Sequence, residues 1–258
     1  MSEHVRIAIE DNVLRLTLAR PERKNALSLA MYGALGGALT AAESDPNVRA
    51  VLIEAEGDAF TAGNDLADFA AVAAGTLDSK DMTSQVFLDS LARADKPIVA
   101  AVQGLAVGIG VTLLLHCDLV YVAEEAKLST PFVGLGLVPE AASSWLLQAR
   151  IGYARAYAMI GLGEPLDGRT AAAIGLANAA LPAGEVRARA LFAAQQLVAR
   201  PIGALQASKR LMRDAALIKA TMDRESEVFG ARLRTAEAAE ALRAFAERRP
   251  PNFRAIAG

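Results

Sequence analysis

Three short segments bring together residue types that could do chemistry. Glu140 stands alone as a carboxylate in Gly134-Leu135-Gly136-Leu137-Val138-Pro139-Glu140-Ala141-Ala142-Ser143-Ser144-Trp145, between apolar and small neighbours. An apolar pocket there would raise its pKa and suit it to act as a general base. The other reading is an acidic residue that favours the start of the helix running toward Arg150. Gly104-Leu105-Ala106-Val107-Gly108-Ile109-Gly110 lies after an apolar strand and before an apolar helix, so it is either a tight turn or a site whose unpaired NH groups receive an anion. It is a poor dinucleotide motif, since Val111, Thr112 and Leu113 stand where a third glycine should fall. Ala59-Phe60-Thr61-Ala62-Gly63-Asn64-Asp65-Leu66 is a loop of small residues with reachable NH groups. Its Asp65 is better read as a cap on backbone NH groups than as a catalytic acid. His116 and Cys117 close the apolar helix without an acid partner, which points to a cap and core role.

The elements that must position these segments are legible from periodicity. Val5–Ile9 and Val13–Leu18 alternate apolar and polar residues across Glu10-Asp11-Asn12 and predict a hairpin. A helix is expected from about Ser28, its cap, to Glu43, with Leu29, Tyr32, Leu35 and Leu39 on one face. Val48–Glu54, Pro97–Val102 and Leu119–Val122 read as strands, and Met82–Ala94 and Ile109–His116 as helices; Asp118 is expected to hold the turn into the last strand. Strands that lose their polar alternation are buried on both faces, so the fold class is α/β with a largely parallel sheet. From Val186 to Arg249 the strand signals stop and an Ala-, Leu-, Arg- and Glu-rich helical pattern takes over. The expected division is a core domain at 1–185 and a helical region at 186–258.

Composition narrows the function classes. The 258 residues suffice for a sizeable core, and 53% hydrophobic against 22% charged residues excludes a disordered chain. With 27 basic and 29 acidic side chains, the net charge of -2 supplies no field for holding nucleic acid. One cysteine, Cys117, excludes an internal disulfide, and two histidines beside it leave no zinc cluster of ordinary spacing, so no metal is expected. The start Met1-Ser2-Glu3-His4 does not look like a signal peptide and no apolar run is long enough to span a bilayer, so the expectation is a cytoplasmic protein with no membrane partner.

Taken in order, the three segments resemble the crotonase family, also called the enoyl-CoA hydratase and isomerase superfamily. The resemblance runs from Arg20-Pro21-Glu22-Arg23-Lys24-Asn25-Ala26-Leu27 through Ala59–Leu66, Lys96-Pro97-Ile98-Val99-Ala100-Ala101-Val102-Gln103-Gly104 and Cys117-Asp118-Leu119-Val120-Tyr121 to Phe245-Ala246-Glu247-Arg248-Arg249-Pro250. It implies a crotonase-like spiral of ββα units and a C-terminal helical region, 186–258, that forms a homotrimer or a hexamer of two trimers. The implied substrate is an acyl-CoA thioester, with CoA as part of the substrate and no separate cofactor.

The resemblance further implies that two backbone NH groups hold the thioester enolate, assigned by motif position to Ala62 and Ile109. Fixed dipoles in a dry pocket suit that task, because they do not reorganise as charge gathers on one oxygen. CoA contacts would come from Arg23, Lys24, Ala26, Ala62, Asp65, Leu66 and Gly108, with Arg248 and Arg249 as either further phosphate contacts or solvated surface charge. Thr112 and Phe132 occupy the places of the two hydratase glutamates and, with Leu137, would line the acyl pocket. Neither can exchange a proton usefully near neutrality. Glu140 occupies the place of the single acid of the 3,2-enoyl-CoA isomerases, and Gly63-Asn64-Asp65-Leu66 and Pro139-Glu140 are similar to the peroxisomal type of that enzyme. The expected reaction is therefore a shift of a 3-enoyl-CoA double bond to trans-2-enoyl-CoA. A hydratase or other crotonase-type reaction, and a non-catalytic acyl-CoA binder, are the competing readings.

Overall fold

The computed structural model describes residues 2–65, 67–68 and 83–256. Leu66 and most of the Ala-rich stretch after Asp68 lie outside them.

Six strands form the main sheet in the order β1 (Val5–Glu10), β2 (Val13–Leu18), β3 (Ala50–Ala55), β4 (Ile98–Val102), β6 (Leu119–Ala123) and β9 (Ala179–Leu181). β1 pairs antiparallel with β2 through the predicted hairpin, and every later pairing in this sheet is parallel. All residues of β3 and β4 are buried, as their near-continuous apolar sequence requires. Burying each of their larger aliphatic side chains contributes about 1.5–3 kcal/mol. Glu54 is the polar exception, 3% exposed, and its carboxylate accepts from Arg15 Nη2 at 2.6 Å and Nε at 2.9 Å.

A second, three-stranded sheet consists of β5 (Leu105–Val107), β7 (Lys127–Ser129) and β8 (Leu166–Asp167). Periodicity does not reveal these strands or β9, because two or three residues are too few to show an alternation. The crotonase fold is nevertheless the one implied, with ββα units followed by C-terminal helices.

The helices are α1 (Leu29–Ser44), α2 (Ser84–Arg93), α3 (Ile109–Thr112, continued as a 3₁₀ turn over Leu113–His116), α4 (Ser143–Ile151), α5 (Tyr153–Tyr157), α6 (Gly168–Ala173), α7 (Val186–Val198), α8 (Ile202–Met212), α9 (Ala215–Arg232) and α10 (Ala236–Ala246). Ser28 caps α1 as expected, its hydroxyl accepting from the Met31 NH at 3.4 Å. Asp118 accepts from the Ile98 NH at 2.7 Å and from Lys209 Nζ at 2.8 Å, tying β4, β6 and α8 together. Packing does not break at residue 185. α7 lies on β3, β4 and β6, and its Val186, Ala190, Ala193 and Ala194 belong to the main core.

Candidate active site

Two loops carry the backbone groups of interest, and two isolated parallel bridges fix them. Thr61 bridges Ala106: its NH donates to Leu105 O at 3.0 Å, and the Val107 NH donates back to Thr61 O at 3.1 Å. Leu27 bridges Asn64: the Leu27 NH donates to Gly63 O at 2.8 Å and the Asp65 NH to Leu27 O at 2.9 Å. In such a bridge the bracketed residue turns its own NH away from the partner strand. Gly63 permits the close approach. Its φ is +92°, and a Cβ there would stand 2.9 Å from the Val107 carbonyl oxygen.

The hydrogen bonds then decide which amides remain available. The Ala62 NH donates to Lys24 O at 2.8 Å and the Gly63 NH to Thr61 Oγ1 at 3.1 Å. Ala62 is thus corrected as a donor for an oxyanion, because its NH is engaged in holding the 20–27 loop. In the 61–65 segment it is the Asn64 NH that has no partner among the described residues. In the second loop the Gly108 NH donates to Ser129 O at 2.9 Å, while Val111 and Thr112 donate to Gly108 O. The Ile109 and Gly110 NH groups have no partner among the described residues. Gly108 makes this turn possible with φ +55° and ψ -114°, a combination that a side chain would strain.

Tyr32 of α1 joins the amides to the acid. Its buried hydroxyl donates to Asn64 Oδ1. Burial raises the phenol pKa well above its usual value, and the nearby carboxylates of Glu140 and Asp68 raise it further. Glu140 is thus within electrostatic reach of the hydroxyl that holds Asn64. Its Oε1 is buried and has no hydrogen-bond partner among the described residues, although the residue as a whole is partly exposed. Burial, reinforced by the carboxylate of Glu225, raises its pKa from 4.5 to about 8. Two residues in left-handed conformation follow it, Ala141 at φ 58° and Ala142 at φ 57°, before α4 begins.

The three residues assigned to the acyl pocket fall in different surroundings. Thr112 is fully buried and its hydroxyl oxygen has no partner among the described residues. Phe132 is 5% exposed and lies beside Gly108, with its Cε1 at 4.0 Å from the position a Cβ would take there. Leu137 instead packs with Leu233 and Ala238 in a separate apolar cluster beneath α10. The structure gives it to the seat of that helix.

Of the residues assigned to CoA, Arg23 and Lys24 are exposed on a loop where Lys24 and Asn25 have φ 50° and 54°. Lys24 pairs with Asp58 at 2.7 Å, and Ala26 presents its carbonyl to Arg20 at 3.2 Å. The Asp65 carboxylate is engaged twice, by Arg20 at 2.7 Å and by the Ala67 NH at 3.1 Å, which is the capping role. Arg249 binds Glu240 at 2.6 Å and Glu247 at 2.5 Å within the C-terminal segment, whereas Arg248 is exposed. His116 and Cys117 are buried; burial and Arg213 push His116 down to about 3, so its imidazole is neutral.

Sequence reasoning missed Asn64, Tyr32, Asn25 and Glu225. Asn25 is fully buried and its side chain accepts from the Arg20 NH at 2.7 Å and donates to Glu56 O at 2.9 Å and Ala59 O at 2.8 Å. It locks the 20–27 loop onto the Ala59–Asp65 loop. The only sequence signal was an asparagine inside a polar turn.

Comparison with known proteins agrees with this architecture. The profile of the family described as enoyl-CoA hydratase/isomerase matches residues 8–255. The chain is 32% identical over 254 residues to enoyl-CoA delta isomerase 2 of Rattus norvegicus, covering 96% of this chain and 65% of that protein. It is 32% identical over 257 residues to 2,3-dehydroadipyl-CoA hydratase of Escherichia coli, covering 98% and 99%. The crystal structure of an enoyl-CoA hydratase/isomerase from Pseudoalteromonas atlantica T6c superposes with a TM-score of 0.91 at 40% identity, covering 97% of this chain and all 100% of that one. On the fold and on these likenesses, this chain belongs to the crotonase family of enoyl-CoA hydratases and isomerases.

Proposed function

We propose that this family member shifts the double bond of a 3-enoyl-CoA to give the trans-2-enoyl-CoA. The observation that carries the reading is the Glu140 carboxyl, whose buried Oε1 has no hydrogen-bond partner among the described residues and whose pKa is raised to about 8. The two hydratase positions hold Thr112 and Phe132, which cannot act as acid or base. Moving a double bond by one position needs one group that takes a proton at C2 and returns it at C4; adding water needs groups at both the water and the α-carbon.

In this mechanism the acyl-CoA thioester oxygen lies between the NH groups of Asn64 and Ile109. Glu140 as carboxylate removes a proton from C2, and the C2–H electrons move into the thioester to form a dienolate whose charge gathers on the oxygen held by the two amides. The electrons then return through C2=C3, and the carboxylic acid of Glu140 delivers the proton to C4. Each such amide contributes roughly 3 kcal/mol of transition-state stabilisation in enzymes where one has been removed. A pKa near 8 suits both steps, because the same group must accept and donate near neutral pH. Arg23 and Lys24 supply positive charge for the phosphates of CoA, and Phe132 bounds the acyl side of the glycine turn.

We also assign trimerisation to the helices of the 186–258 region. Leu211 and Met212 at the end of α8 are 90% and 88% exposed, an apolar pair suited to cover by another subunit. No helix among the described residues is long and apolar enough to cross a membrane.

The test is conversion of a 3-enoyl-CoA followed by the absorbance of the conjugated product. Wild-type enzyme should produce it and Glu140→Gln should lose at least about a thousandfold in kcat. Wild-type turnover by Glu140→Gln, or rapid loss of conjugated absorbance from crotonyl-CoA with wild-type enzyme, would overturn the reading, the second result in favour of a hydratase.

A further inference from the structure

The Glu140 carboxyl is presented by a backbone that would not hold its shape unaided. Ala141 and Ala142 both adopt left-handed φ values, 58° and 57°, a region in which a residue with a side chain is strained. Side chains from distant elements grip this pair from two sides. On one side, Glu225 of α9 accepts from the Ala142 NH at 2.6 Å through Oε2 and from the Ser144 NH at 2.8 Å through Oε1. It thereby caps α4 from another helix, since Ala142 at the cap position has no side chain that could do so. On the other side, His116 Nε2 is 2.8 Å from the Ala141 carbonyl oxygen, and Arg213 Nη2 is 2.6 Å from His116 Nδ1. A guanidinium only donates, so Nδ1 is the acceptor and the Nε2–H is the donor to Ala141.

We propose that Glu225 is a positioning residue for the reaction, and that with His116 and Arg213 it clamps the Ala141–Ala142 turn so that the Glu140 carboxyl is held over the substrate carbons. The proposal rests on Glu140 being the base assigned above. Glu225 acts through geometry and through charge. Both its oxygens accept from backbone NH groups, which is the arrangement of an ionised carboxylate, and it is only 7% exposed. It stands near enough to Glu140 to oppose ionisation there. Among the described residues, Tyr32 of α1 feels the carboxylates of Glu140 and Asp68, and burial raises the pKa of Glu225 itself, opposed by the hydrogen bonds from Ser144 and Ala142 and by Arg224 of α9. His116 is neutral and contributes a hydrogen bond but no charge.

Two variants separate geometry from charge. Glu225→Gln keeps the volume, loses the charge and sets an NH2 against one of the two backbone NH groups. Glu225→Asp keeps the charge and withdraws it by one methylene. Two quantities are read for each: kcat and KM on whichever enoyl-CoA the wild type turns over, and the titration midpoint of the Glu140 carboxyl in substrate-free enzyme. The midpoint is followed by its infrared stretch and identified by its absence in Glu140→Gln. The expected result for Glu225→Gln is a fall in kcat of about 10- to 100-fold with KM nearly unchanged, and a midpoint lower by about one unit. Glu225→Asp should lose kcat similarly while its midpoint stays near that of wild type, and it carries the test if Glu225→Gln does not fold. A midpoint in Glu225→Gln equal to wild type, or wild-type kcat in Glu225→Asp, overturns the proposal. The midpoint is read without substrate. Failure to turn over a 3-enoyl-CoA would therefore count against the isomerase reading alone.

Discussion

Tyr32 and Asn64 are bound to each other by their side chains, the phenol donating to the amide oxygen, although they come from a helix and a loop 32 positions apart. The bond fixes the orientation of residue 64, whose backbone NH faces away from its bridge partner Leu27. Tyr32→Phe removes this one hydrogen bond and leaves a partly buried amide oxygen without its phenol donor, at a cost of about 1 kcal/mol. We expect kcat to fall by about tenfold or more while KM changes little, because the loss is felt where charge develops. Steady-state kinetics reads both constants, and an unchanged kcat would show that the bond does not support catalysis.

The raised pKa of Glu140 sets the direction of the pH dependence. A base must be ionised, so kcat/KM should climb as pH rises and level off above about 8, the value to which burial and Glu225 push this group. A limb centred near the ordinary carboxylate range of about 4 would contradict this environment.

The same shift reappears in stability. The folded pKa of about 8 lies above the ordinary 4.5, so the native state favours the protonated acid. Its contribution is complete below pH 4.5 and is lost as pH rises through 8. Glu140→Gln mimics the neutral acid. Its Tm should match wild type at acidic pH and exceed it by a few degrees, about 2–6 °C, above pH 8. Calorimetry at pH 5 and 9 makes the comparison.

Asn25 is the keystone of the 20–27 loop. Asn25→Ala leaves the Arg20 NH and the Glu56 and Ala59 carbonyls without their buried partner. A loss of about 2–4 kcal/mol in unfolding free energy follows from stranding these groups. Chemical denaturation measures it, and a loss below about 1 kcal/mol would mean that water replaces the amide.

Ala142 offers a gain instead. At φ 57° a glycine is unstrained, so Ala142→Gly should raise the unfolding free energy by up to about 1 kcal/mol, provided that Glu225 keeps its grip on the NH. A destabilised Ala142→Gly would show that entropy in the unfolded chain outweighs the local strain.

Much of this could be read from residues alone. The hairpin strands β1 and β2 announce themselves through alternation, β3, β4 and β6 through near-continuous apolar runs, and the Ser28 cap through its place before a periodic stretch. The glycine turn at 104–110 and Glu140 stand out by residue type. The choice of Asn64 over Ala62 does not. It depends on which carbonyls reach a given NH, and the Lys24 carbonyl that engages Ala62 is brought there by Asn25, whose side chain makes three hydrogen bonds. The packing of Leu137 with Leu233 and Ala238 is hidden for a related reason: one apolar residue between a glycine and a valine can face either of two apolar environments. Glu225 is hidden because a carboxylate inside a helical pattern looks like solvent-facing charge, and only the packing of α9 against α4 turns it inward.

The bridges at Thr61–Ala106 and Leu27–Asn64 have a consequence for how such a scaffold diversifies. They anchor the proposed electron sink in main chain that any sequence of small residues can supply, whereas the proposed acid comes from a separate segment held by Glu225 of the C-terminal helices. Descendants of one ancestor could thus relocate a carboxyl group among positions 112, 132 and 140 and acquire a new reaction while inheriting the sink unaltered.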